Sequence, residues 1–189
     1  MTELPRIPLA GVIGSPIAHS KSPQLHRYWL KTYGILGHYI PMDVSNDNLE
    51  NVLRTLPQMG FVGVNITTPH KEKVMEIADL VTDRAILIGA ANTLIFCKDG
   101  KIHADNTDGY GFIENLKAGA PQWNPHSGPA AVLGAGGAAR AVISSLLEAG
   151  VPEIMLSNRT RVRADKLKQD FGSRIRVYEW VQAGNMIDD

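Results

Sequence analysis

Residues 7–14 form a short apolar run that ends in glycine, the pattern of a buried strand. Ser22-Pro23 then opens a helix. Serine can cap it, proline suits its first position, and Leu25, Tyr28, Trp29 and Thr32 fall on one face before Gly34 stops it. A second strand is expected over 38–44. A helix over 46–56 follows, with Leu49, Val52, Leu53 and Leu56 at helical spacing. Residues 61–67 are rich in β-branched side chains and read as a strand, and 70–80 as a helix after Pro69. Residues 93–96 and 101–104 flank Asp99-Gly100, a hairpin signal, and 107–116 read as a helix.

The pattern then breaks. Residues 119–129 hold three prolines, two glycines and no periodic apolar positions, which predicts a linker. Beyond it lie strands at 130–133, 153–157 and 174–178, with helices at 138–149 and 161–171 between them. Strands alternating with helices imply a parallel sheet with helices on its faces. The expected class is therefore α/β: an N-terminal α/β substrate domain (1–118), a linker (119–129) and a partial Rossmann-type dinucleotide-binding domain (130–189). The last has about three strands where a full one has about six.

Composition narrows this picture only slightly. The 189 residues are 44% hydrophobic, 20% charged and 6% aromatic, as in ordinary globular chains. Lys plus Arg and Asp plus Glu are 19 each, so no global field favours nucleic acid or an acidic membrane. No run is long and apolar enough to span a bilayer. Residues 1–6 show no secretory leader, and cytoplasm is the expected location. Cys97 is the single cysteine and is expected as a small buried hydrophobe in a strand. His19, His70 and His103 form no metal-ligand grouping with it, so no metal is expected, and His70 is expected to be exposed. Trp29, Tyr33 and Tyr39 are expected in the core. Free strand edges in the first domain leave a homodimer open.

Candidate chemistry sits in two places. Gly134-Ala135-Gly136-Gly137-Ala138-Ala139 fits G-x-G-x-x-G/A after an apolar strand and before a helix, the context in which such a loop holds a pyrophosphate. About 20 residues past the first glycine, an NAD site carries an acid for the ribose 2′-OH. Here Asn158-Arg159-Thr160 stands, followed by Arg161 and Arg163. Cations in a first helical turn oppose the macrodipole and call for an anionic partner, so NADP is expected, with Arg159 as the principal 2′-phosphate ligand. The first domain holds polar groups of more ambiguous use. Ser20 and Ser22 bracket Lys21 before a helix. Asn65 and Thr67 share one side of a strand end. Lys71 follows Pro69, Asn92 precedes a strand, and Asp108 precedes a helix.

Taken in order, residues 14–23, 65–71, 89–93, 105–109, 134–140 and 158–160 resemble shikimate dehydrogenase in motif and spacing, from about Pro8 onward. The resemblance implies NADP-dependent, reversible reduction of 3-dehydroshikimate to shikimate, in chorismate and aromatic amino acid biosynthesis. It implies Lys71 and Asp108 as the catalytic pair. Ser20 and Ser22 would hold the substrate carboxylate, and Asn65, Thr67 and Asn92 would surround its hydroxyls. Gly134, Ala135, Gly136, Gly137, Ala138, Asn158, Arg159, Thr160 and Arg163 would hold NADP. Serine at 22 matches the shikimate-preferring type. The alternatives are a quinate/shikimate dehydrogenase using NAD and a substrate-binding module without turnover. The family's chain continues past Asp189, where further substrate and nicotinamide contacts are expected.

Overall fold

The computed structural model describes residues 7–186, so the expectation about a leader in residues 1–6 lies outside the described residues. The chain divides into two compact units, Met1–Asn106 and Thr107–Asp189.

In the first unit the strands β1 (Leu9–Gly14), β2 (His38–Asp43), β3 (Phe61–Ile66), β4 (Leu80–Val81), β5 (Thr93–Phe96) and β6 (Ile102–Asp105) form one mixed sheet, ordered β2-β1-β3-β5-β6-β4. β1 lies parallel to both β2 and β3, whereas β5 runs antiparallel to β3 and β6. The helices are α1 (Ser22–Thr32), α2 (Leu49–Thr55), α3 (Val74–Ile77) and α4 (Asp83–Ile88). Ile13, Leu49, Leu53, Val64, Ile66, Leu94 and Ile102 interlock in its core. Burying each such side chain contributes roughly 1.5–3 kcal/mol. Alternation along β3 puts Val64 and Ile66 in that core and leaves Asn65 half-buried on the other face.

Several expectations are corrected. The helix read over 70–80 contracts to four residues, α3, because residues 67–73 turn beyond the end of β3, with the His70 N–H bonded to Thr67 O. β4 and α4 have no counterpart among the expected elements, because two and six residues are too short to show a period. Ser22 does not cap α1 but is its first residue, and its N–H donates to Ser20 Oγ at 3.3 Å. Trp29 and Tyr33 are 42% and 71% exposed, since α1 buries no residue, whereas Tyr39 is buried. His70 is fully buried, with its Nε2 bonded to Val44 O at 2.7 Å. Cys97 lies one residue beyond β5 and is half-buried. The Asp99-Gly100 turn forms as expected, joining β5 to β6.

In the second unit β7 (Ala130–Leu133), β8 (Ile154–Ser157) and β9 (Ile175–Tyr178) form a parallel sheet in that order. α6 (Gly137–Ala149) and α7 (Arg161–Phe171) are the crossovers. Ile143, Ile154, Leu156, Leu167 and Ile175 are its buried centre. α5 (Asp108–Gly119) packs on α6, with Phe112 and Ile113 laid on this core, and Trp123 from the irregular stretch that follows packs there too. Among the described residues, no helix is long and apolar enough to cross a membrane.

Candidate substrate and dinucleotide sites

The first unit gathers most of its candidate residues at one end of the sheet. Parallel register sets Val12 beside Asn65 and Ile13 beside Ile66, so β1 and β3 end together. Thr67 N–H donates to Ile13 O at 2.9 Å and Ser15 N–H to Thr68 O at 3.1 Å, tying the two outgoing loops. Gly14 is required at this crossing, because a Cβ there would meet Thr67 Cγ2 at 2.6 Å and Thr68 O at 3.0 Å. Antiparallel register then places Thr93 opposite Asn65 and Asp105 opposite Thr93. Ile66 N–H donates to Asn92 O at 2.8 Å, so Asn92 stands beside the end of β3. Clefts outside the carboxyl ends of strands in α/β folds are where ligands bind.

The side chains are locally fixed. Asn65 Oδ1 accepts from the Tyr39 hydroxyl at 2.7 Å, and Asn65 Nδ2 donates to Asn92 O and Thr93 Oγ1, each at 3.3 Å. Thr93 Oγ1 in turn donates to Asn92 Oδ1 at 2.9 Å. Ser20 and Ser22 meet at the start of α1, and Ala91 N–H anchors Lys71 through its carbonyl at 2.8 Å. Lys71 therefore lies in the first unit and Asp108, at the first position of α5, in the second. Asp105 accepts from Thr82 Oγ1 at 2.7 Å and from Asn106 N–H at 2.7 Å, and is ion-paired with Arg84. The Arg84 guanidinium, with these hydrogen bonds, holds its carboxyl well below the usual carboxylate range.

In the second unit the glycine loop joins β7 to α6. Gly134 has φ +112°, a conformation that favours glycine, and its N–H bonds to Ser157 O at 2.8 Å. Nothing lies within 4 Å of where a Cβ at Gly134 or Gly136 would stand, so the outer side of the loop is open to a ligand. Beside it, Leu133, Gly134, Asn158, Arg159 and Trp180 line a cleft of about 250 Å3. Asn158 Nδ2 donates to Thr160 O at 2.7 Å, folding the turn that begins α7. Arg161 is ion-paired with Glu179 and with Asp165. Among the described residues, neither Arg159 nor Arg163 has an ion-pair partner. An open glycine cradle, uncommitted guanidinium groups and no acid at the end of β8 fit a dinucleotide carrying a 2′-phosphate.

Two residues of these sites escaped the sequence reading. Tyr39 reads as an ordinary core aromatic, and only its phenol oxygen, with no apolar role, hinted otherwise. Trp180 follows the last strand in a stretch with no motif, and nothing local assigns it to the cleft.

Residues 12–94 match the family model of the shikimate dehydrogenase substrate binding domain, and residues 122–189 match that of shikimate / quinate 5-dehydrogenase. The chain is 69% identical over 189 residues to the shikimate dehydrogenase (NADP(+)) of Cereibacter sphaeroides, covering all of this chain and 68% of that protein. Its fold is similar to that of the shikimate dehydrogenase of Aquifex aeolicus, with a TM-score of 0.82 and 36% identity over 90% of this chain and 62% of that one. It is similar also to the Thermus thermophilus enzyme solved in complex with NADP(H) and shikimate, with a TM-score of 0.79 and 38% identity over 92% of this chain and 68% of that one. The chain belongs to the shikimate dehydrogenase family of NADP-dependent oxidoreductases and spans about two-thirds of the length of these relatives.

Proposed function

We propose that this chain acts in the NADP-dependent, reversible reduction of 3-dehydroshikimate to shikimate, with the substrate held by residues 1–118 and the cofactor by residues 130–189, joined through 119–129. The observation that carries the reading is the clustering of Ser20, Ser22, Asn65, Thr67 and Asn92 at one sheet end, while the glycine loop and Arg159 line a cleft in the other unit.

Each residue has a chemical task. Ser20 and Ser22 offer hydroxyls to the substrate carboxylate, and Asn65, Thr67 and Asn92 offer amide and hydroxyl groups to the ring hydroxyls. Backbone N–H groups of residues 134–138 meet the pyrophosphate at the positive end of α6. Arg159, with Asn158, Thr160 and Arg163 around it, holds the 2′-phosphate. When bound, NADPH supplies the hydride. Lys71 Nζ donates the proton that the developing alkoxide needs, and its charge stabilises that oxygen before transfer. Asp108 balances the charge of the ammonium. Cytoplasmic residence and a homodimer are parts of the same proposal, checked by fractionation and light scattering.

The test is NADPH formation at 340 nm by the purified chain with shikimate and NADP, run beside quinate and NAD. Turnover with shikimate and NADP well above the other pairs supports the reading. Equal or better turnover with quinate and NAD moves the chain to the quinate/shikimate type. A folded chain that binds neither shikimate nor NADP overturns it.

A further inference from the structure

Tyr39 occupies a position where phenylalanine would bury the same ring without carrying a hydroxyl into the interior. A buried hydroxyl is costly unless it is bonded, so its partners indicate what it is for. The phenol donates to Asn65 Oδ1 at 2.7 Å, and the ring lies stacked on the imidazole of His26, with centroids 3.8 Å apart and planes 8° from parallel. His26 is itself held: its Nδ1 bonds to Ser22 O at 2.9 Å, and Trp29 meets it edge-on with centroids 5.3 Å apart. Burial pushes the Tyr39 phenol up to about 12, and the neighbouring Ser22 hydroxyl opposes that rise. The group is therefore a neutral O–H donor throughout the neutral range. Ser22 N–H donates in turn to Ser20 Oγ.

These contacts form one continuous path from Ser20 and Ser22, through His26 and Tyr39, to Asn65, and on through Asn65 Nδ2 to Asn92 O and Thr93 Oγ1. The two ends of the path are the groups assigned above to the substrate carboxylate and to the ring hydroxyls. Asn65 is also nearly saturated: both amide hydrogens and one lone pair on Oδ1 are engaged within the protein, leaving one Oδ1 lone pair to meet a ligand hydroxyl. Its orientation is set by the phenol.

We propose that Tyr39, clamped by His26, is a positioning residue of the substrate site, fixing the span and orientation between the serine pair and the Asn65 amide so that a carboxylate and a ring hydroxyl on one rigid ligand are recognised together. This rests on the reading under Proposed function. The side chain acts through Ser22 and Asn65 rather than on the reacting atoms.

Calorimetric titration of the full 189-residue chain tests it, with shikimate and with cyclohexene-1-carboxylate, which keeps the carboxylate and lacks the hydroxyls. Tyr39→Phe should weaken shikimate binding about tenfold, the size expected for one hydrogen bond in a coupled pair, and change cyclohexene-1-carboxylate binding less than about twofold. His26→Ala keeps the phenol but removes its clamp, and should shift shikimate binding in the same direction by about threefold. It serves if Tyr39→Phe fails to fold. Equal weakening of both ligands marks a general structural role and overturns the proposal, as does unchanged shikimate binding in the folded variants. Absence of shikimate binding by the unaltered chain overturns the underlying reading, and the proposal with it.

Discussion

Arg161 is ion-paired with Glu179, which lies just past the end of β9. A second carboxylate, Asp165, stands one helical turn along α7 at 3.5 Å. Of the basic residues that cluster after β8, Arg161 is thus already neutralised, whereas Arg159 lines the cleft beside Gly134. The two arginines should behave differently. Arg159→Ala should raise the KM for NADP by about 10- to 100-fold, the loss of a charge-assisted bidentate contact, and leave the KM for shikimate unchanged. Arg161→Ala should change the KM for NADP less than about threefold. Steady-state kinetics or 2′,5′-ADP titration checks this, and equal losses at the two positions would refute it.

Trp180 presents a half-exposed indole to the same cleft. Stacking of a base on an aromatic side chain is worth about 1–3 kcal/mol. Trp180→Ala should therefore weaken 2′,5′-ADP and AMP alike, by about tenfold, whereas Arg159→Ala should weaken only the ligand with the 2′-phosphate. Trp180→Phe should retain most of the affinity. If Trp180→Ala binds both nucleotides as the unaltered chain does, the indole has no part in the site.

Lys71→Ala should lower turnover with shikimate and NADP by at least about 100-fold, since general acid–base groups contribute about 10²- to 10⁴-fold, with the KM for shikimate changing less than about threefold. Equal losses in both parameters would assign Lys71 to binding.

Asp105 makes an acid-stability prediction. Its carboxyl is held below the usual range, chiefly by hydrogen bonding to Arg84, with Thr82 and the Asn106 N–H adding to it. A depressed folded value stabilises the fold fully above the unfolded carboxylate range near about 3.9. That stabilisation is lost as the pH falls below this range toward the folded value. Asp105→Asn should cost about 1–3 kcal/mol at pH 7, and the gap to the unaltered chain should narrow below about pH 4. Urea unfolding at pH 7 and pH 3 measures both numbers, and a gap that stays constant with pH would exclude the carboxylate as its source.

Much of the second unit was legible because its signals are local. β7, the glycine loop and α6 follow one another without a gap, and the apolar run, the small residues and the helical period each declare themselves within a few positions. The same holds for the Asp99-Gly100 hairpin, whose turn residues carry their own backbone preference. The region 67–92 was misread because its order is not local. The bonds of Thr67, Ile66 and Ala91 run to β1, to Asn92 and to Lys71, and no periodicity encodes such pairings. His70 shows the same limit. A histidine at an apparent helix start reads as solvated, yet Val44, 26 residues away, supplies the carbonyl that allows it to be buried.

The sequence by itself determined the α/β class, the shikimate dehydrogenase family and its NADP dependence, and it offers a glycine loop and a set of polar residues as candidate ligands. Those properties reside in residue type and near-neighbour spacing, which a chain carries whether folded or not. Tertiary structure alone decided which of these groups are committed. It ties Arg161 to Glu179, stacks His26 on Tyr39 and turns the Asn65 amide toward the phenol. Each is a contact between residues brought together only by strand register and crossover, so its partner is fixed by the fold and not by the neighbourhood in sequence.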